Sequence, residues 1–303
     1  MPTHRPLTHW LLLFALVVMW GSSFMFTKIA VAAIAPTNVV AGRLVLAAVV
    51  LLGLMVLSRR SLPTDGRSWR FFIAMALVGN CLPFWLITWG QQGIDSGLAG
   101  ILMAVMPLAT VLLAHVFVAG ERMNRNKAAG FLVGFAGIVL LMGPTALLEL
   151  RGSGAALFSE LAVLCGAICY AVNTIIARHR PDGDALVAGA GVILVAGLVM
   201  APTAALTDGF VFVDIAPLPA AAVGFLGIVS TALATVVYFK LVAAAGPSFL
   251  SLINYLIPLW AVMIGMVFLG ESPEWSSLAA LALILSGIGL SEAGSRRRAP
   301  PRG

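Results

Sequence analysis

The feature that most constrains this chain is a succession of apolar runs, each about 20 residues long, with little sequence left between them. About 20 helical residues cover the roughly 30 Å hydrocarbon core of a bilayer. Ten such runs are read at 8–30, 37–57, 69–91, 97–119, 127–146, 155–178, 185–206, 217–241, 248–270 and 275–293. Turn residues punctuate them, as at Ala35-Pro36-Thr37, Leu62 to Gly66, Arg180 to Asp184 and Gly246-Pro247. The runs far exceed the ~10-residue alternating strands of a membrane barrel. An all-α integral membrane protein with ten transmembrane helices is therefore expected. Only 10% of the residues are charged, against 61% hydrophobic, whereas a soluble domain carries about 25% charged residues. The run at 8–30 is read as the first span, because no small-residue cleavage site separates it from a polar mature sequence.

The net charge of +6 sits in short loops, so membrane topology explains it without a nucleic-acid partner. Alternate numbering of the connections puts 15 of the 18 basic residues on one side. They are Arg5; Arg59, Arg60, Arg67 and Arg70; Arg122, Arg125 and Lys127; Arg178 and Arg180; Lys240; and Arg296, Arg297, Arg298 and Arg302. Arg151 faces the other side, with Lys28 and Arg43 near helix ends toward it. Basic loops stay cytoplasmic, so both termini are expected there.

The chain also resembles itself. Ser96 through Pro107 (SGLAGILMAVMP) is matched by Pro247 through Pro258 (PSFLSLINYLIP). Gly120-Glu121 recurs as Gly270-Glu271, and Gly137-Ile138 as Gly287-Ile288. Trp20 to Lys28 aligns with Tyr170 to Arg178, so Ser23 matches Asn173 and Lys28 matches Arg178. Two related halves follow, residues 1–146 and residues 147–303, the second ending in a basic tail. Five spans per half is an odd number, so the second half enters from the opposite face. Two inverted five-helix repeats are expected, an architecture that secondary transporters use for alternating access.

The Trp20-Gly21-Ser22-Ser23-Phe24 segment, the mid-helix Pro of span four and the closing Gly-Glu before span five carry a family resemblance. With the second-half features Gly246-Pro247, Asn254-Tyr255, Pro258 and Gly270-Glu271, they resemble the EamA-type branch of the drug/metabolite transporter superfamily over about residues 8–293. The resemblance implies ten helices in two repeats and export or exchange of small metabolites across a bacterial inner membrane. Within the family the chain is similar to YddG-like exporters of aromatic and other amino acids. It also implies that spans five and ten are peripheral.

A solute is expected near the midplane between the halves. Trp20 and Ser23 share a face of span one, with Tyr170 and Asn173 as counterparts. Asn80 and Phe84 share a face of span three, matched by Thr231, Thr235 and Tyr238 in span eight. Asn254 and Tyr255 precede Pro258 in span nine. These eleven residues form the expected substrate path. Against it stands the habit of Ser and Thr to bond their own helix or pack between helices. Pro107 and Pro258, each mid-span, are expected to kink their helices and assist gating. Glu160 is expected to pair with Lys28 or Arg43 as an outer polar gate; the competing reading is snorkelling to headgroups.

No carboxylate is expected at the midplane, which disfavours obligatory proton coupling through a central acid. No HExxH, paired intramembrane aspartates or selectivity filter occurs, so an enzyme is not expected; the alternatives are an exporter of drugs or other metabolites and, in a different class, a membrane channel ahead of an intramembrane enzyme. Cys81, Cys165 and Cys169 are read as buried small residues, not metal ligands. The expected partners are a small-molecule substrate and the lipid bilayer, with no metal or cofactor. The oligomeric state is open, and a monomer is compatible with a single-chain repeat.

Overall fold

The computed structural model describes residues 6–118, 121, 123–142, 155–209 and 215–296. Arg5, Gly120, Arg122, Arg151, the boundary at 146 and 147, and the basic residues from Arg297 onward lie outside the described residues. Among the described residues the regular elements are all helical. They begin with α1 (Leu7–Val31) and α2 (Pro36–Leu57). Next, α3 (Gly66–Ala76) runs through a π-helical segment, Leu77–Cys81, into α4 (Leu82–Gly90). Then come α5 (Ser96–Met103), α6 (Met106–Phe117) and α7 (Arg125–Met142). They are followed by α8 (Ala155–Ala177) and α9 (Ala185–Thr207). A second π-helical segment, Phe225–Leu233, joins α10 (Pro217–Gly224) to α11 (Ala234–Ala245). The short α12 (Pro247–Leu250) precedes α13 (Ile253–Leu269) and α14 (Trp275–Arg296).

Among the described residues seven rods are long and apolar enough to cross a bilayer: α1, α2, Gly66–Gly90, Ser96–Phe117, α8, α9 and Pro217–Ala245. Two shorter apolar helices, Ile253–Leu269 and Trp275–Ser291, accompany them. Their outward faces carry large apolar side chains, including Phe14, Val49, Val116, Leu132, Phe135, Leu198 and Val267. So broad an apolar surface suits lipid as solvent. The chain is a multi-pass helical membrane protein.

Local chemistry sets the helix starts. Pro36 and Pro217 each open a helix, where a missing N–H costs no bond. Asp65 caps α3 by accepting from the Ser68 N–H at 2.8 Å, and that bond holds its carboxyl below the usual range. Asp184 caps α9 through the Leu186 and Val187 amides and also pairs with Arg60.

Two expectations are corrected here. Pro107 does not kink a continuous helix. The chain turns at Ala104-Val105, and Pro107 lies in the first turn of α6. Pro258, by contrast, lies within α13; the break before that helix falls earlier, at Ser251-Leu252. Of the cysteines, Cys81 is buried, but Cys165 is exposed and Cys169 half-buried. α8 packs instead through Ala162, Val163, Gly166 and Ala167, which turns the other two cysteines away.

The helices pack in exchanged pairs. α2 lies against α9 around Val40, Leu44, Leu51, Ile193 and Ala196. α1 lies on α13 and on the rod holding the second π segment, whereas α8 lies on the α5–α6 rod and on the rod holding the first. α7 and α14 pair with each other. Lipid gives no hydrophobic drive between helices, so close packing must supply it. A Cβ on Gly287 would stand 2.5 Å from the Gly130 carbonyl oxygen, and one on Gly130 would strike the Gly287 carbonyl. Gly289, two residues on, has open space beside it. Gly287→Ala is expected to lower stability by about 1–3 kcal/mol through overpacking. Gly289→Ala should be neutral or stabilising by up to about 1 kcal/mol. Thermal unfolding of the detergent-purified variants checks this, and equal effects at the two glycines would contradict the packing assigned.

Candidate functional site

The site is built where rods distant in sequence cross. On α1, Trp20 donates from Nε1 to the Ser230 carbonyl at 3.1 Å, and Ser230 Oγ returns a bond to the Met19 carbonyl at 2.7 Å. The Trp20 ring centroid lies 5.8 Å from that of Tyr238. On α8, Tyr170 stands edge-on to Phe84 at 6.3 Å. An aromatic side chain of α1 thus meets the rod with the second π segment, and one of α8 meets the rod with the first.

The π segments are the feature that sequence reading missed. Such one-turn widenings often mark functional sites. Asn80 Nδ2 donates to the Met75 carbonyl at 3.2 Å, and Thr231 Oγ1 donates to the Leu226 carbonyl at 2.8 Å. Both bonds reach back five residues, and the two residues are repeat counterparts. Gly79, inside the first segment, lies so close to Asn173 that any Cβ would collide with its amide. Asn173 Oδ1 is buried and has no hydrogen-bond partner among the described residues. A polar residue beside a glycine or serine in an apolar run was the available signal, though it does not distinguish a π turn from an α turn.

Other residues of the expected path fall as follows. Ser23 Oγ bonds the Trp20 carbonyl at 2.5 Å, and Thr235 Oγ1 bonds the Thr231 carbonyl at 2.6 Å, so both hydroxyls are engaged by their own helix. Asn254 is half-buried in the first turn of α13. Tyr255 packs instead on the cluster of Ile101, Val105, Leu108 and Ile284. The structure therefore gathers Trp20 with Tyr238, and Phe84 with Tyr170, and places Tyr255 on a different cluster.

The expected gate is rearranged. Lys28 Nζ donates to the carbonyls of Gln91 at 3.0 Å and Ile94 at 2.8 Å, beyond the end of α4. Arg43 Nε donates to Thr231 Oγ1 at 2.8 Å. The ion pairs among the described residues are Arg60–Asp184 and Arg178–Glu121, so the expected pairing of Glu160 with Lys28 or Arg43 is not among them. Glu160 instead lines a cavity of about 320 Å³ with Asp95, Glu271 and Glu274. Pro258 is buried within α13.

Two contacts were not anticipated. Gln91 is fully buried and donates to the Phe24 carbonyl at 2.9 Å. It closes the apolar run at 69–91, and its run gave no sign of this partner. Glu271 accepts from the Ser96 N–H at 2.7 Å and the Gly97 N–H at 2.9 Å. It caps α5 with a carboxylate placed where the helix dipole favours negative charge. Its motif was legible, its target was not. Its counterpart Glu121 bonds Arg178 at 2.6 Å in an exposed pair.

A helical multi-pass protein with aromatic and polar groups concentrated where its rods cross has the build of a membrane transporter. The EamA-like transporter family matches residues 8–143 and again 157–292, and the chain belongs to that family. It is 25% identical over 284 residues to the uncharacterized transporter YoaV of Bacillus subtilis, spanning 90% of this chain and 93% of that one. It is 26% identical over 287 residues to the uncharacterized inner membrane transporter YedA of Escherichia coli K12, spanning 91% and 90%. It is 27% identical over 288 residues to the S-adenosylmethionine/S-adenosylhomocysteine transporter of Chlamydia trachomatis, spanning 92% and 87%. A solved crystal structure shares the fold with a TM-score of 0.65 at 22% identity, over 97% of this chain and 99% of that one.

Glu271→Ala is expected to lower stability by about 1–2 kcal/mol, the scale of a lost helix cap. Glu121→Ala should cost less, because its partner bridge is exposed and screened. Thermal unfolding of both variants in detergent gives the comparison; a larger loss for Glu121→Ala would count against the cap.

Proposed function

We propose that the chain exports small organic metabolites across a bacterial inner membrane by alternating access between two inverted five-helix halves, 1–146 and 147–303. In this reading it has ten spans and cytoplasmic termini, and amino acids with aromatic or apolar side chains are the first solutes to test. The observation that carries the proposal is the reciprocal crossing of the halves. Trp20 of the first half packs on Ser230 and Tyr238 of the second, while Tyr170 of the second packs on Phe84 of the first. The family match in two stretches supports the division, as do the counterpart bonds of Asn80 and Thr231. Relative motion of the halves would make and break such contacts around a solute. The relative named for S-adenosylmethionine favours a second reading, export of another metabolite. The family and its relatives carry the names of transporters, not enzymes.

Lys28 and Glu271 both hold the loop at 91–97, which is outer in this topology. They act as its latch, with bending at the Ala104-Val105 turn beside Pro107 and around Pro258. Asn80, Phe84, Tyr170, Asn173, Thr231 and Tyr238 line the path, with Trp20, Ser23, Thr235, Asn254 and Tyr255 beside it.

Single cysteines at Asp65 and Asp182 in a cysteine-free chain should react with a membrane-impermeant thiol reagent only after cells are opened. Cysteines at Asp95 and Glu274 should react on intact cells. Any reversal rejects the topology. In proteoliposomes, counterflow of radiolabelled phenylalanine or leucine should be saturable and unchanged by a pH gradient. It should fall about tenfold or more in Trp20→Ala and Phe84→Ala, but not in Trp275→Ala, whose side chain is 86% exposed. Absence of counterflow across a panel of amino acids would refute the amino-acid assignment.

A further inference from the structure

Arg43 is the one charged residue among the buried described residues, with 8% of its surface exposed. It lies seven residues into α2, about 10 Å along the helix axis from Pro36. Its Nε–H donates to Thr231 Oγ1, and its Cζ sits 3.7 Å from the centroid of the Phe84 ring. Thr231 is the middle residue of the rod Pro217–Ala245, and its hydroxyl proton is already committed to the Leu226 carbonyl. Gly227, one residue beyond Leu226, lets that rod approach the Arg43 carbonyl; a Cβ there would stand 2.9 Å from it. The guanidinium is therefore held inside the protein, at mid-depth, between elements of both halves.

Among the described residues this placement has no counter-charge. Neither ion pair among the described residues involves Arg43. A guanidinium has five N–H donors and stays charged at neutral pH. One donor is used. The four on the two Nη atoms make no hydrogen bond among the described residues, and neither Nη is among the fully buried unpartnered polar atoms. An arginine whose only task was structural would extend its long side chain to the interface and place its charge among headgroups. Keeping it inside a membrane protein is costly, and such residues mark substrate or ion pathways. Thr231 and Phe84 hold the guanidinium plane, and no hydrogen bond among the described residues engages its forked edge. That edge matches a carboxylate in a bidentate geometry.

We infer that Arg43 is the receptor for the carboxylate of the transported solute, whose apolar part rests against Phe84 and Tyr170. The solute class is a small carboxylic acid, zwitterionic or anionic, with an aromatic or aliphatic side. This inference rests on the transport reading above and names the chemical group that the path selects. Thr231 is a positioning residue, acting through the Arg43 Nε.

The test is a matched acid and amide comparison on the full chain in nanodiscs at low salt. Benzoate is compared with benzamide, hexanoate with hexanamide, and phenylalanine with phenylalaninamide, by thermal shift and tryptophan fluorescence titration. In at least one pair the acid should bind about tenfold or more tightly than the amide, the scale of a lost charge-assisted bond. The preference should shrink to about twofold or less in Arg43→Met, survive in part in Arg43→Lys, and weaken in Thr231→Val. No acid preference in any pair with the unmodified chain overturns the proposal, whether or not Arg43→Met folds. A preference that persists in Arg43→Met overturns it as well. Proteoliposome counterflow separates the two readings. Counterflow without acid preference removes only the role of Arg43, and acid preference without movement of any panel solute removes the transport reading.

Discussion

Backbone hydrogen bonding in lipid is the constraint on which the rest of this structure depends. An unpaired N–H or C=O in hydrocarbon costs several kcal/mol, so a chain this apolar folds as helices that satisfy themselves. Irregular backbone survives only where protein covers it or a polar path runs beside it. The irregular stretches are the π segments at Leu77–Cys81 and Phe225–Leu233 and the turns at Ala104-Val105 and Ser251-Leu252. The two π segments have local remedies. Asn80 and Thr231 each supply a side-chain donor to the carbonyl five residues back. The Ser230 carbonyl receives Trp20 from another helix. The π segments thus lie where helices distant in sequence touch, the first against Ala155–Ala177 and the second against α1 and α2. A path between the halves would need such places, because a regular helix offers a ligand no free backbone group.

The opposite logic governs the α7–α14 pair. There the backbones approach through Gly130 and Gly287 with no irregular turn between them. Close van der Waals contact is what holds helices together when the surrounding solvent is as apolar as they are. The chain therefore separates two kinds of interface: glycine-to-glycine contact where rigidity is required, and aromatic-to-polar contact around the π segments. Outward neighbours on α7 such as Leu132, Phe135 and Val139 are exposed, which suits a pair that faces lipid on one side.

Most of the architecture was legible because the bilayer reduces it to one variable, the length of apolar runs. The helical elements Leu7–Val31, Pro36–Leu57, Ala155–Ala177 and Ala185–Thr207 lie within a few residues of where the runs placed them. Side-chain fate was less legible. Lys28 and Arg43 both read as cations near a helix end. Lys28 reaches loop carbonyls, as a cation at a helix C-terminus should. Arg43 turns inward to Thr231, a residue 188 positions away. Nothing local distinguishes the two, since the partner comes from the crossing of distant rods. Pro107 shows the same limit at closer range. Its spacing matched Pro258, yet it starts a helix where Pro258 sits within one. Repetition in sequence preserves residue type more faithfully than it preserves backbone conformation.

That infidelity has a physical consequence under the inverted-repeat reading. Two identical inverted halves would give outward- and inward-closed states of equal energy. The halves differ at the helix start that a Gly-Glu carboxylate would cap. Glu271 accepts two N–H groups, from Ser96 and Gly97. The counterpart of Ser96 is Pro247, which has no N–H to offer. Glu121 therefore cannot form the same two-bond cap at its own end, and it pairs with Arg178, the counterpart of Lys28, instead. Lys28 meanwhile pairs with no carboxylate among the described residues and holds the Gln91 and Ile94 carbonyls. One missing donor thus separates the two ends, and in an alternating-access cycle the extra cap would favour closure at the Glu271 end. A solute that bridges the halves at mid-depth must supply differential binding energy to overcome that bias, because a ligand shifts an equilibrium only by its difference in affinity for the two states.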